Sequence, residues 1–210
     1  MGSLLYLFLN VFQKRDMEKV QEEITLAINP TKKITDLEKK LEFSDTFENK
    51  VALADAYLGL GQYEKAIALY RSSLKGTFEK DYYAISNLIE ALCCSEQFTE
   101  AIEKIEVIKD SPRFKKSKAM LLYGLALEKT GEIGSAETIL EQFNAPYSRY
   151  KERLELAKFY IRNGKTEKAR TILNDISKES EGMSKQSYKL HQGFIKNAKE
   201  MLVACDPPQD

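Results

Sequence analysis

Four alanines set the frame of this chain. Ala66, Ala101, Ala136 and Ala169 are separated by 35, 35 and 33 residues, and each sits in the same local pattern. Gly61-Gln62-Tyr63 leads into Ala66-Ile67, with Tyr70 four residues after the alanine. Glu96-Gln97-Phe98 leads into Ala101-Ile102, with Ile105 in the matching place. Gly131-Glu132-Ile133 precedes Ala136 and Leu140, and Gly164-Lys165-Thr166 precedes Ala169 and Leu173. Upstream of each alanine a second apolar set recurs: Leu53, Ala54 and Tyr57, then Leu88, Ile89 and Leu92, then Tyr123, Gly124 and Leu127, then Leu156, Ala157 and Tyr160. Apolar residues at helical spacing on both sides of a turn dictate a pair of helices. Such a pair cannot bury its apolar face alone, so successive pairs must stack. Glycine at the turn tolerates positive φ and lets one helix reverse into the next. Ala54, Gly124 and Ala157 leave room for helices that approach closely. Ten Gly and five Pro in 210 residues are few for a β fold, whose many turns consume both.

The pattern resembles the tetratricopeptide repeat, a helix–turn–helix unit of about 34 residues. The resemblance implies an all-α fold, a right-handed α-solenoid of helix–turn–helix units with flanking N- and C-terminal helices. Four units are expected within 47–181, at Phe47–Lys80, Tyr82–Lys115, Ser117–Tyr147 and from Tyr150 through Leu173 onward. The chain departs from the family pattern in having no Trp, and in placing Ile133 and Thr166 where an aromatic is common. The proline expected near each unit's end is approximated only by Pro112 and Pro146.

Helices are also expected on both flanks. Within 1–46, Met17, Val20, Ile24 and Ile28 form one stripe over Gln13–Ile28, and Pro30 is expected to stop it. Thr35-Asp36-Leu37-Glu38 reads as a capping box opening a short helix with Leu37 and Leu41 inside. A polar-faced helix over 182–204, carrying Lys185, Lys189, Lys196 and Lys199, suits a solenoid cap, and 205–210 reads as a disordered tail. Residues 1–12 are almost wholly apolar but fall short of the about 20 residues that cross a bilayer. Three readings are open: a packed helix with Leu4, Leu5, Phe8, Val11 and Phe12 on one face, an interfacial or remnant membrane segment, or a run left by cloning. Gly2–Phe8 is similar to the end of the two-helix membrane segment found before phospholipase D-like enzymes and some bacterial repeat proteins. In the membrane reading, Lys14 and Arg15 put the body on the cytoplasmic side, at the inner face.

Charge narrows the function. Lys+Arg and Asp+Glu are both 32, so there is no basic footprint for nucleic acid. Three Cys, with Cys93 and Cys94 adjacent, form no disulfide framework, which fits a reducing compartment. One His and no C-x-x-C leave nothing to build a metal site, and no cofactor motif is present. His191 has no nameable partner for general-base work and reads as a cap residue, so the chain is not expected to be an enzyme.

Ligand binding in such arrays is expected on the face lined by each unit's first helix. The candidate residues are Glu48, Val51 and Asp55, then Tyr83, Asn87 and Glu90, then Lys118, Leu121, Leu125 and Lys129, then Lys151, Leu154, Lys158, Ile161 and Arg162. The acids gather in the first half and the cations in the second, so zero net charge hides a polarised groove that would orient a peptide. The carboxylate clamp of chaperone-binding repeats does not fit. Asn87 and Lys118 match it, whereas Val51, Asp55 and Leu122 do not. The expectation is a non-enzymatic protein–protein interaction or scaffold module that takes a peptide or helix. The alternative is a structural or self-assembling protein, a homo-oligomer, whose groove is filled by its own N-terminal helix or a second copy.

Overall fold

The computed structural model describes residues 30–205. The apolar run 1–12, the helix expected over 13–28 and the tail beyond 205 lie outside the described residues. The described chain is all helix, in the order α1 (Pro30–Phe43), α2 (Phe47–Gly59), α3 (Tyr63–Ser73), α4 (Tyr82–Cys94), α5 (Phe98–Ile108), α6 (Lys118–Lys129), α7 (Ile133–Glu141), α8 (Tyr150–Arg162), α9 (Thr166–Glu181) and α10 (Lys185–Cys205), with one 3-10 turn at Gly76–Phe78. It forms two compact units, divided within α4 after Ala91.

The repeat seen in the sequence is a repeat in the backbone. Gln62 N–H donates to the carbonyl of Tyr57, Gln97 to Leu92, Glu132 to Leu127 and Lys165 to Tyr160, at 2.8–2.9 Å. Each bond spans five residues and closes the same helix C-terminus, satisfying a carbonyl that the helix leaves orphaned. The turn residue is left-handed each time, with φ of +71° at Gly61, +91° at Gly131 and +71° at Gly164. The second turn uses Glu96 at φ +58°, where a side chain makes this conformation costly. Side-chain oxygens of Thr46 and Ser117 cap α2 and α6, accepting from Asn49 N at 3.3 Å and Met120 N at 3.2 Å.

All four anchoring alanines have no accessible surface, and neither do Ala54 and Ala157. Gly124 shows why the position must be small. A Cβ built there would lie 2.6 Å from Leu140 Cδ2 and 2.7 Å from Leu140 Cγ. Leu140 is itself fully buried and has nowhere to retreat.

Two boundaries differ from expectation. The helix expected to open at Thr35 runs from Pro30, the first described residue; the helix that Pro30 is expected to stop lies outside the described residues. Proline is tolerated at the first helical position because that N–H has no intrahelical acceptor and its φ is already helical. Thr35 therefore lies inside α1 and caps nothing at its start. At the other end α9 runs through Glu181, and the terminal helix begins at Lys185.

Replacing Gly124 with Ala should destabilise the protein by about 1–3 kcal/mol through overpacking, despite the helix propensity it gains. The same change at Gly193, mid-helix in α10 with nothing within 4 Å of the added Cβ, should stabilise by about 0.5–1 kcal/mol. Urea melts of the two variants check both signs. Equal shifts would show that the α6–α7 approach is not tight.

Candidate functional site

In the first unit, the first-helix face is largely committed to internal bonds. Asp55 of α2 accepts three donors: Tyr70 Oη at 2.5 Å and Asn87 Nδ2 at 3.0 Å on Oδ1, and Tyr83 Oη at 2.9 Å on Oδ2. The cluster ties α2 to α3 and to the start of α4. Burial, with the bond to Asp55, pushes the Tyr70 hydroxyl far above its ordinary range, and burial raises Tyr83 in the same direction. Both hydroxyls therefore stay protonated and keep donating. Val51 is buried in the helix packing and offers no surface to a ligand, because its position faces the core. Glu48 is exposed and Glu90 half-buried. Of the acids expected to line this end, Asp55 has its oxygens occupied.

The second unit carries the expected cations on α6 and α8. Lys118, Lys129, Lys151 and Lys158 are exposed, Leu125 is half-buried and Ile161 is 39% exposed. Leu121 and Leu154, expected to line the groove, are buried between helices and drop out of it. Arg162 is held by an acid that the sequence reading passed over. Its Nε and Nη2 donate to Glu128 Oε1 and Oε2 at 2.8 and 2.5 Å, and Asn163 Nδ2 adds a bond of 3.0 Å to Oε1. That bidentate bond holds the Arg162 guanidinium charged above its ordinary value. Glu128 and Arg162 lie one repeat apart, and that spacing was the available signal. Arg149 makes a parallel link, donating from Nη1 to the Lys116 carbonyl at 2.8 Å. Lys158 pairs with Glu155 on its own helix at 2.8 Å. Being exposed, that pair contributes little to stability.

A second missed feature stabilises this unit. Arg153 is 1% exposed, and its Nη1 donates to Glu179 Oε2 at 2.8 Å. The backbone N–H of Tyr147 donates to the same oxygen at 2.9 Å. Tyr147 and Arg149 both have left-handed φ, 55° and 52°, so the Glu179 and Lys116 bonds hold a loop that would otherwise relax. Burial pushes the Glu179 carboxyl up, but Arg153 and the Tyr147 N–H outweigh it and hold it below the usual carboxylate range. On the far side, His191 of α10 lies against the Tyr150 ring, 4.9 Å between centroids, as a packing residue.

Among the described residues no three or more His, Cys, Asp or Glu side chains could hold a metal. No helix among them is long and apolar enough to cross a membrane. What the first-helix face presents is a set of exposed ammonium groups beside half-buried aliphatic side chains.

Replacing Glu179 with Ala would leave the Arg153 charge buried and unpaired, and should cost about 3–5 kcal/mol. Pairing Arg153→Met with Glu179→Leu should recover most of that loss. The depressed carboxyl adds stability that is present above the unfolded value of about 4.5 and lost as pH falls through the lower folded value. Thermal melts of the parent from pH 6 downward should show that loss, and the double variant should lack its Glu179 part.

A tetratricopeptide repeat family model matches residues 51–81. No curated protein sequence matches the chain. Among solved structures, a thermophilic TPR protein of Thermus thermophilus superposes with a TM-score of 0.57 at 20% identity, covering 89% of this chain and 95% of that one. The pilF protein of Pseudomonas aeruginosa gives 0.57 at 16% identity, covering 95% of this chain and 86% of that one. BtubC of P. vanneervenii gives 0.53 at 14% identity, covering 87% of this chain and 94% of that one. The chain carries a tetratricopeptide repeat at residues 51–81 and shares the all-α fold of the tetratricopeptide repeat proteins.

Proposed function

We propose that the protein is an interaction or scaffold module whose α6–α8 face takes a peptide with acidic residues flanking an apolar centre. One observation carries the reading. Lys118, Lys129, Lys151 and Lys158 stay exposed on two first helices that Arg162–Glu128 and Arg149–Lys116 hold side by side. Leu125 and the partly exposed Ile161 supply the apolar centre. Apolar area of this kind contributes about 25 cal/mol per Å2 covered, and the ammonium groups set direction and association rate more than affinity. The acidic end expected at Asp55 has no part in this, because its oxygens already serve Tyr70, Tyr83 and Asn87. Arg162 acts by positioning α8 against α6, with its charge spent on Glu128. The groups on this face are ammonium and aliphatic, so the reading is non-enzymatic.

A labelled peptide with a Leu-rich centre and Glu at both ends is the probe. Reversing Lys118 and Lys151 to Glu should slow its association at least about tenfold at roughly 20 mM salt and only slightly at roughly 500 mM, where screening removes steering. Arg162 is unsuitable for this test, since reversing it would set two carboxylates against each other. Equal association rates for parent and double variant at low salt would remove this face as the contact surface.

A further inference from the structure

A cavity of about 520 Å3 opens in the first unit, on the side of α2 opposite Asp55. It is lined by Glu38 and Leu41 of α1, Leu53 and Tyr57 of α2, and Lys65, Ala68 and Leu69 of α3. Two carboxylates, Glu42 and Asp45, stand exposed on its rim. The second unit contains the same feature in register, which gives an internal control. Helices α2 and α3 start at Phe47 and Tyr63, α8 and α9 start at Tyr150 and Thr166, and both comparisons are offset by 103 residues. Tyr57 donates to Glu38 at 2.6 Å under Lys65, as Tyr160 donates to Glu141 at 2.5 Å under Lys168. At that offset the second cavity, about 390 Å3, has Asn144 where the first has Leu41, and Thr171 where the first has Ala68. The repeat geometry accounts for a hollow at this place in both units. It does not account for the first hollow being the more apolar of the two, with Leu41 and Ala68 where its twin has Asn144 and Thr171.

We propose that the apolar hollow seats residues 4–12 of this same chain. Three observations select that occupant. First, Leu4, Leu5, Phe8, Val11 and Phe12 are large apolar residues whose sequence spacing suits one helical face, a complement for Leu41, Ala68 and Leu69. Second, Lys14 and Arg15 follow the run directly and would meet a rim that carries Glu42 and Asp45, the latter also paired with Lys50 at 2.8 Å. Third, the reach fits. Seventeen residues, 13–29, precede Pro30, and even at the helical rise of 1.5 Å each that length covers about 25 Å. The 14-residue α1 spans about 21 Å on the same rise, from Pro30 to the end where the cavity opens. A segment folded back antiparallel to α1 therefore delivers Lys14 and Arg15 to Glu42 and Asp45, and the apolar run to the hollow. The docked segment lies on the side of α2 away from Asp55 and leaves the first-helix face uncovered, so this inference stands apart from the peptide-binding reading.

Hydrogen exchange of the full chain tests it. Amides of residues 5–12 should exchange at least about tenfold more slowly than those of a free peptide of the same sequence. Ala68→Arg should abolish that protection, because Ala68 is exposed on α3 and its replacement fills the hollow without touching the core. Thr171→Arg, at the twin position, should leave the protection intact. A Phe8→Cys, Ala68→Cys pair should form a crosslink within one chain, located by mass spectrometry, at a yield independent of protein concentration. Absence of protection in the parent would overturn the proposal. So would protection that survives Ala68→Arg, a crosslink that rises with concentration and joins two copies, or partition of the full chain into phosphatidylcholine vesicles with the hollow still reactive at an Ala68→Cys thiol.

Discussion

The closest approach between paired helices governs this protein. Each second helix carries an alanine without accessible surface, and three of the four first helices carry a small residue in the matching place, Ala54, Gly124 and Ala157. At Gly124 the tolerance is below one methyl group, since any Cβ there would overlap Leu140. Once two helices are that near, little freedom remains for the turn between them. It must reverse the chain within a short turn, and the four bonds from Gln62, Gln97, Glu132 and Lys165 show the same solution each time. The spacing of 35, 35 and 33 is therefore a packing distance written along the chain. Where the turn lacks glycine, Glu96 itself takes the left-handed backbone and the same bond, from Gln97 to Leu92, closes the turn.

Helices fixed at this spacing bring residues about one repeat apart into contact, and long polar pairs form there. Glu128 meets Arg162, Lys116 meets Arg149, Glu137 meets Lys165 and Lys168, and Asn87 reaches Asp55. These pairs consume charges that a count of Lys, Arg, Asp and Glu treats as free. They also separate by environment. Arg153–Glu179 is buried and gives a large loss when one partner is removed, whereas Lys158–Glu155 is exposed and gives little. The exposed ammonium groups on α6 and α8 are what gives the first-helix face its character.

Much of this was legible before any coordinates, because close packing leaves a mark at single positions. The alanine anchors, Gly124 and the glycine turns each require a particular residue, and a period in the sequence exposes them. The candidate face was legible only in outline. Helical periodicity places Val51, Leu121 and Leu154 on the same side as their exposed neighbours, but a stripe on a helix does not say where burial by adjacent helices stops. All three proved buried. Asp55 read as part of an acidic end of the groove and is instead a shared acceptor, because its donors come from two other helices. Helix α1 runs from Pro30 and not from Thr35, since the missing N–H that breaks a helix interior costs nothing at the first position.

Repetition also supplies its own standard of comparison. Two sites built by the same packing geometry should differ only where selection or chance has acted on the side chains. Tyr57 and Tyr160 keep the carboxylate on the hydroxyl and the lysine over the ring, so that arrangement belongs to the stacking itself. Burial raises Tyr160 as a hydroxyl, and the Glu38 bond followed by burial raises Tyr57 to about 12, so both phenols keep their protons and both carboxylates keep their donors. Leu41 against Asn144 and Ala68 against Thr171 break the match within that shared frame. Since the frame is common, the difference lies in the side chains and not in helix packing.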